Sequence, residues 1–278
     1  MGDMSPAAAP LEDENLLTEI LLRLPPLPSS LPRASAVCKR WRLLVSDPGF
    51  VRRFRRRHRR SPPLLGCFVP HRGGVCFTPT MDSPDRVPAR RFSLQLDEGY
   101  RFCLLRCRHG LVLISNDSRK QVLVWDPVTG DQHRIAFPPW FDGITNSIHG
   151  ASLAVIQVPV DKEDEFTVMR AEGGGLGLLS LSDFTAQLWK RKTDCDGVAS
   201  WGMGRTTELD KLLFPNSGEA AYPFIIGFAE ENNVAFLTAG DGVIMVQLES
   251  LQSKQLCMID GTFYFHHHAF ESVYAAGT

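Results

Sequence analysis

Apolar residues near the start of the chain recur at the spacing of amphipathic helices. A first helix is indicated by five apolar positions on one face: Leu16, Leu17, Ile20, Leu21 and Leu24. Polar side chains at positions 13–15 can cap its N-terminus. Pro25 ends it, because proline lacks an N–H donor and clashes with the preceding turn.

A second helix is predicted from about Ser30 to Ser46, with Pro32 in its first turn. One face of this helix is apolar: Leu31, Ala34, Val37, Cys38, Trp41, Leu44 and Val45. Asp47 and Pro48 then start a third helix that buries Phe50 and Phe54. Three such short helices form a bundle too small for a self-sufficient core, so we expect it to lean on a partner or on the rest of the chain.

Beyond Pro62 the pattern changes to short apolar or alternating runs separated by turn residues, which is typical of an all-β region. The predicted strands are 91–96, 102–106, 111–115, 122–125, 133–137, 152–158, 166–171, 176–181, 187–190, 224–228, 234–237, 243–248 and 255–258. The segment Asp126–Gly130 is predicted to form a turn, and Asp241-Gly242 a hairpin. The segment 206–222 carries little strand signal.

Charge is distributed unevenly, although the whole chain has a net charge of -1. Residues 1–60 carry a surplus of basic side chains, and the remaining residues carry a surplus of acidic ones. No apolar stretch is long enough for a membrane helix, and the first ten residues lack the features of a secretory signal. Seven scattered cysteines without a C-x-x-C pair are typical of reduced thiols, so we expect an intracellular protein, in the nucleus, the cytoplasm or both.

Three ordered segments of the N-terminal region carry a family resemblance. They are Glu19-Ile-Leu-Leu-Arg-Leu-Pro25, Val37-Cys-Lys-Arg-Trp-Arg-Leu-Leu44 and Ser46-Asp-Pro48. Together with Leu11-Glu-Asp-Glu-Asn-Leu-Leu17, they resemble an F-box of the form common in the large plant F-box families. One departure is that the Leu-Pro pair at the start of many F-boxes is absent, with Glu12 and Asp13 at about that place.

The resemblance implies that this region docks on the Skp adaptor of a cullin-RING ubiquitin ligase. Such a bundle can pack internally and still offer apolar side chains to a partner's groove. We expect Trp41 to be the main energetic anchor, since buried aromatic residues dominate many interfaces. The expected docking surface is Leu11, Leu16, Leu17, Ile20, Leu24, Pro25, Leu31, Val37, Cys38, Trp41 and Leu44.

The β region is similar to the F-box-associated β domain, a propeller-like substrate-binding domain. The segments that carry this likeness include 111–130, Phe137-Pro-Pro139, Gly227–Asn233 and Phe270–Tyr274. A four-stranded blade takes about 40 to 45 residues, so the region after residue 61 would make about five blades. Since six would be expected, the propeller either lacks a blade or is open and incomplete.

The predicted organisation is therefore multi-domain, α plus β. A disordered N-terminus at 1–10 precedes an F-box helical bundle at 11–60 and a β-rich, propeller-like substrate-binding domain at 61–278. The implied function is that of a non-catalytic substrate adaptor for ubiquitination. An alternative is a ligand-binding β domain behind a degenerate F-box that does not dock, which the missing Leu-Pro pair alone supports.

Other chemistry has weaker support. The basic run Arg52–Arg60 could bind nucleic acid or direct nuclear import, but it also suits the solvated end of a helix. Neither Cys103, Cys107 and His109 nor the pair His266 and His268 makes a complete metal-ligand set. No motif of hydrolases, kinases or metalloproteases is present. We therefore predict no catalytic residues, no metal and no cofactor, and the substrate-binding residues stay unknown.

Overall fold

The computed structural model describes a helical N-terminal region followed by β-sheets. It covers residues 13–71, 74–96, 102–116, 118–137, 156–161, 164–171, 173–213, 222–240, 242–258 and 266–274. The predicted 1–10 segment and Leu11 therefore lie outside the described residues. The N-terminal helices are α1 (Glu14–Leu22), α2 (Ser30–Ser35), α3 (Lys39–Ser46) and α4 (Pro48–His58).

Aspartate caps fix the starts of α1 and α4, as the sequence predicted. The Asp13 carboxylate accepts hydrogen bonds from the backbone N–H groups of Asn15 and Leu16 at 2.8 and 3.1 Å. The Asp47 carboxylate accepts one from the backbone N–H of Phe50 at 2.7 Å, and Pro48 occupies the first turn. Each carboxylate satisfies donors that a helix N-terminus leaves without partners.

The single helix predicted from Ser30 to Ser46 is wrong. The chain bends before α3, where Cys38 is extended with φ -161° and ψ 168°. The bend allows α2 and α3 to bury residues in one core, since Leu31 and Ala34 of α2 join Val45 of α3 in the same cluster. Tertiary packing therefore overrides a continuous helical pattern.

In the described part of the β region, the strands form four antiparallel sheets of four strands each. Sheet A contains β1 (Leu64–His71), β2 (Gly74–Pro79), β3 (Leu94–Gln95) and β16 (His268–Glu271). Sheet B contains β4 (Phe102–Arg108), β5 (Leu111–Asn116), β6 (Gln121–Trp125) and β7 (Gln132–Ala136). Sheet C contains β8 (Glu165–Arg170), β9 (Leu176–Ser182), β10 (Thr185–Thr193) and β11 (Ala199–Glu208). Sheet D contains β12 (Ile225–Ala229), β13 (Val234–Ala239), β14 (Gly242–Gln247) and β15 (Ser253–Met258).

Sheet A joins the two ends of the β region. Its strand β16 pairs antiparallel with β1, in a register that places His268 opposite Phe68. Phe270 of β16 is fully buried, with its ring 5.1 Å from Phe68 and 5.5 Å from Phe92 between centroids. The last strand therefore closes the aromatic core of the first sheet.

The helical bundle packs against the β region instead of standing alone. Val273, two residues after the end of β16, is buried within the bundle core that contains Leu17 and Phe54. The backbone N–H of Ser29 also donates to the Asp85 carboxylate at 2.9 Å. The small bundle thus completes its core with a residue from the C-terminal part of the chain.

Most predicted strands that lie in described residues coincide with observed strands, but four strands were missed: β1, β2, β11 and β16. The predicted strand 91–96 is instead a 3₁₀ helix (Ala89–Phe92) followed by the two-residue β3. In the predicted strand 152–158, residues 152–155 lie outside the described residues and the remainder is not a strand. The weak 206–222 segment begins with the end of β11 and a short helix, α5 (Asp210–Leu213).

The estimate of about five blades exceeds the four sheets that the described residues form. The estimate assumed about 40 to 45 residues a unit. Sheet B spans residues 102–136, sheet C residues 165–208 and sheet D residues 225–258, so none of these sheets is longer than the assumed unit.

The turn between β6 and β7 forms as predicted. The Asp126 carboxylate accepts hydrogen bonds from the backbone N–H groups of Val128 and Thr129. Gly130 adopts φ 84°, which glycine tolerates without a steric penalty. At the predicted hairpin between β13 and β14, Ala239 pairs with Gly242, while Asp241 lies outside the described residues.

Candidate partner-binding surface of the helical bundle

The bundle buries one face of each main helix. Leu17 and Leu21 of α1 pack with Phe50 and Phe54 of α4, and these four side chains are at most 1% exposed. His58, at the end of α4, places its Nε2 atom 3.1 Å from the carbonyl oxygen of Leu22. This contact joins the C-terminal ends of α1 and α4.

The structure divides the predicted docking residues into three groups. Leu17 and Leu31 are buried in the bundle core, where they hold the helices together. Three residues are half-buried against that core: Leu24, Trp41 and Leu44. Five are exposed and free to meet a partner: Leu16, Ile20, Pro25, Val37 and Cys38.

One leucine and one isoleucine of α1 are exposed and form its clearest apolar feature. Leu16 is 44% exposed and Ile20 is 39% exposed, and they lie one helical turn apart. Their neighbours Leu17 and Leu21 face the core. Leu16 and Ile20 therefore extend the apolar surface of α1 beyond what the bundle itself buries.

Leu43 of α3 was missed by sequence analysis. It is 65% exposed, whereas the next two residues, Leu44 and Val45, pack toward the core. The sequence itself indicated that Leu43 is exposed. Leu43 lies outside the buried stripe of the predicted helix and follows the basic residues Arg40 and Arg42. An apolar residue on an otherwise charged helix face is a candidate contact.

A groove between α1 and α3 has walls of opposite charge. Glu14 and Glu19 lie on its α1 side, while Lys39 and Arg40 lie on its α3 side and Arg53 of α4 completes the lining. Charged rims of this kind steer association and fix the orientation of a partner more than they add affinity.

The basic run forms the exposed side of α4. Phe50 and Phe54 are buried, while Arg52, Arg53 and Arg57 are exposed. Cations in the last turn of a helix are favourable because of the negative end of the helix dipole. The run is thus part of an amphipathic helix.

The sequence candidates for metal ligands do not assemble into a site. Among the residues that the structure describes, no group of three or more His, Cys, Asp or Glu side chains could hold a metal ion. Cys103 and Cys107 both lie on β4, but not on one face of that strand. A bulge between Leu104 and Arg106 interrupts the alternation of β4 and leaves Cys103 exposed. Burial raises the pKa of the Cys107 thiol, which keeps it protonated.

The histidines near the C-terminus are close together. The rings of His266 and His268 lie edge to face with centroids 4.7 Å apart. Burial lowers the pKa of His268 to about 3, with further contributions from His266, His267 and Arg106. Burial also lowers the pKa of His266. His268 is therefore uncharged at neutral pH.

Residues 14–57, which span α1 to nearly the end of α4, match the family model described as F-box-like. This segment is an F-box-like domain. F-box domains are adaptor modules and generally bind the Skp adaptor within cullin-RING ligases.

No curated protein matches the chain in sequence. Several solved structures show distant likeness. One is the extracellular domain of a putative hybrid two component system from B. thetaiotaomicron, at 11% identity and a TM-score of 0.23, with 72% of this chain and 23% of that chain covered. A protein of unknown function from Bacteroides caccae is 9% identical with a TM-score of 0.21, over 69% of this chain and 73% of that chain. The WD40 domain of SCAP from fission yeast is 9% identical with a TM-score of 0.19, over 69% of this chain and 53% of that chain.

The chain thus spans less than a quarter of the first of these structures. In the described part of the protein, none of the helices has the length and apolar character needed to cross a membrane.

Proposed function

We propose that this protein is the substrate-recognition adaptor of an SCF-type ubiquitin ligase. The observation that carries the proposal is the F-box-like match at residues 14–57. The bundle docks on the Skp adaptor, and through it on a cullin-RING ligase. The chemistry of ubiquitin transfer belongs to the partner complex, so this polypeptide is not an enzyme.

The proposed docking surface consists of the exposed apolar residues of the bundle. Leu16 and Ile20 on α1 are its centre, and Leu43 on α3 adds to the surface predicted from the sequence. Covering each such side chain removes apolar area from water, which stabilises a complex by about 25 cal/mol per Å². Leu17 and Leu31 act indirectly, by holding the helices in place.

Trp41 keeps its proposed role as an anchor. Its side chain is half-buried against the bundle core and leaves part of its surface accessible. A large aromatic residue in this position can connect the internal core to a partner, and such residues are frequent interface hot spots.

We infer that the β region, residues 61–278, is a propeller-like, F-box-associated domain that presents a protein substrate. The four antiparallel sheets that the described residues form support this, as does the pairing of β16 with β1. Contacts between β16 and β4 and between β12 and β16 bring sheet A beside sheets B and D. We place its action in the nucleus, the cytoplasm or both, and the free cysteines of the described residues support this.

Holding a substrate near a charged ubiquitin-conjugating enzyme raises the local concentration of the reacting groups. A rigid connection between the bundle and the β region helps to maintain this geometry. Val273 supplies such a connection, because it is buried in the bundle core and lies two residues beyond strand β16 of sheet A.

Co-purification of the full chain with a Skp adaptor and a cullin tests the proposal. We expect a stable complex with one copy of each protein by size-exclusion chromatography and light scattering. A well-folded chain that elutes without the adaptor at micromolar concentrations of both proteins would contradict it.

A further inference from the structure

A cleft of about 340 Å³ lies between helix α4 and sheets A, B and D. The helix contributes its last turn and the residues that follow it. The sheets contribute the end of β4, the turn after β12 and the strand β16 with its following residues. The cleft is separate from the exposed apolar residues of α1 and α3.

Arginine side chains from two elements line this cleft. Arg55, Arg56 and Arg59 come from α4 and its C-terminal end, and Arg106 and Arg108 come from β4. The Nε atom of Arg55 is buried and has no hydrogen-bond partner among the described residues. A buried polar group without a partner costs free energy, and a bound acceptor would remove that cost.

The two glutamates that follow β12 in the cleft are already paired. Glu230 accepts a hydrogen bond from Arg106 in an ion pair of 2.7 Å. Glu231 lies 3.5 Å from Arg170, which stands outside the cleft lining. Among the described residues, neither carboxylate therefore forms an ion pair with an arginine of α4.

The other two carboxylates serve the backbone of nearby turns. Oε1 of Glu271 accepts hydrogen bonds from the backbone N–H groups of Glu231 and Asn232 and from the Asn232 side-chain amide. Oδ1 of Asp126 holds the turn that follows β6. These contacts give both carboxylates a structural role in the cleft.

Among the described residues of the cleft, four arginines have no carboxylate partner. Within the described ranges, Arg55, Arg56, Arg59 and Arg108 form no ion pair with another residue. His268 adds no charge at neutral pH, because burial, together with the nearby His266, His267 and Arg106, lowers its pKa to about 3. The positive charge of the cleft is thus held by guanidinium groups, which stay protonated at all physiological pH values.

We propose that this cleft binds a small anion with at least two acidic groups, either phosphates or carboxylates. Guanidinium groups bind both kinds of group through paired N–H donors. A volume of about 340 Å³ falls within the range of about 300 to 1,000 Å³ that is usual for small-molecule pockets. A bound anion would contact α4 and β4 together and so link the helical bundle to the β region.

Isothermal titration calorimetry on the full chain tests this site, with inorganic pyrophosphate and citrate as the phosphate and carboxylate probes. Sodium chloride holds the ionic strength constant in all titrations, because screening weakens any charged contact. We expect saturable binding of at least one probe, with one site per chain. Binding of only one probe identifies the acidic group that the cleft prefers.

Matched arginine variants locate the binding. Arg55→Gln and Arg108→Gln lie in the cleft on different elements, and each should weaken binding at least tenfold. Arg57→Gln is the control, because Arg57 is exposed on the same helix and does not line the cleft. Melting curves show whether each variant is folded, and Arg108→Gln leaves the helical bundle unaltered.

The absence of saturable binding of both probes to the folded wild-type protein would overturn the proposal. An equal loss of affinity in Arg57→Gln and in the cleft variants would also overturn it, since that result indicates diffuse attraction to a basic helix. Retained affinity in both Arg55→Gln and Arg108→Gln would place the binding elsewhere and would refute the assignment.

Discussion

Asp47 illustrates how one side chain fixes the path of the chain at the start of α4. Its carboxylate accepts a hydrogen bond from the backbone N–H of Phe50, and Phe50 in turn is fully buried in the bundle core. The cap therefore determines both where the helix begins and which face it buries.

Asp47→Ala should lower the free energy of unfolding by about 1 kcal/mol, within the usual range for loss of an N-cap. Urea denaturation followed by circular dichroism measures the change. Asp47→Ser is the control, because serine can accept the same hydrogen bond, and its stability should stay close to the wild type. Equal losses in both variants would show that the cap does not account for the effect.

His268 makes stability depend on pH. Its pKa is about 3 in the folded protein, well below the ordinary value of 6.5, because of burial and the neighbouring His266, His267 and Arg106. The unfolded chain therefore binds a proton that the folded chain excludes at pH values between about 3 and 6.5. The His268 contribution to stability is complete above pH 6.5 and is lost as the pH falls through this window.

His268→Gln should make the stability of the protein less sensitive to pH in that window. Chemical denaturation of the wild type and the variant at a series of pH values gives the difference in proton uptake, which we expect to approach one proton. Burial raises the pKa of Glu271, so this residue also makes stability depend on pH. Both proteins contain Glu271, and comparing them cancels its contribution. Parallel pH profiles for the two proteins would contradict this assignment.

At the scale of elements, capping and periodicity predicted the helices α1 and α4 well. Both begin at an aspartate that caps the helix, and both bury apolar residues at helical spacing. The bend between α2 and α3 could not be read from the sequence, because nothing at positions 36–38 is a strong helix breaker. Its cause is the shared core of the two helices, which exists only in the folded bundle.

The strands that escaped prediction lack a clear alternating pattern. β1 contains Gly66 and Pro70 among its apolar residues, and its first five residues are buried on both faces. β16 is short and follows a histidine run, and its place beside β1 comes from pairing over about 200 residues of sequence. Long-range pairing of this kind is not encoded in local spacing.

The sequence also did not reveal which of the predicted docking residues are buried. Sequence spacing grouped Leu16, Leu17 and Ile20 on one helical face, but the structure buries Leu17 and exposes the other two. Local periodicity indicates that a helix is amphipathic, whereas the tertiary packing decides which apolar residues the chain covers.

Phe270 tests the role of strand β16. Its fully buried ring contacts the rings of Phe68, Phe77 and Phe92. Phe270→Ala should lower the free energy of unfolding by about 3 to 5 kcal/mol, because it removes a large side chain and leaves a cavity. Guanidinium denaturation followed by tryptophan fluorescence measures the change.

Phe166→Ala is the control for this substitution, because Phe166 lies on β8 and is 46% exposed. We expect a much smaller loss of stability there. A Phe270→Ala variant as stable as the control would show that β16 does not complete the core of sheet A.

At the scale of the whole molecule, the helical bundle and the β region form a connected structure. Val273 contributes to the bundle core, and Asp85 accepts a hydrogen bond from the backbone of Ser29 at the start of α2. These contacts hold the F-box-like domain against sheet A and its neighbouring loops. An adaptor that must present its substrate in a fixed direction benefits from such a connection.

The central claim is that the bundle docks on a Skp adaptor through the exposed apolar residues of α1. The most direct test measures the affinity of the full chain for that adaptor by calorimetry or interferometry. The test variant is Leu16→Glu with Ile20→Glu, since glutamate is a good helix former and both sites are exposed. The control is Ile135→Glu with Val168→Glu, which are exposed apolar residues of sheets B and C.

We predict that the α1 variant binds the adaptor roughly a hundredfold more weakly than the wild type, from about 1 to 2 kcal/mol lost at each apolar contact. The control variant should keep the wild-type affinity, and both variants should keep the wild-type melting temperature. A folded α1 variant that binds the adaptor as tightly as the wild type would contradict the account.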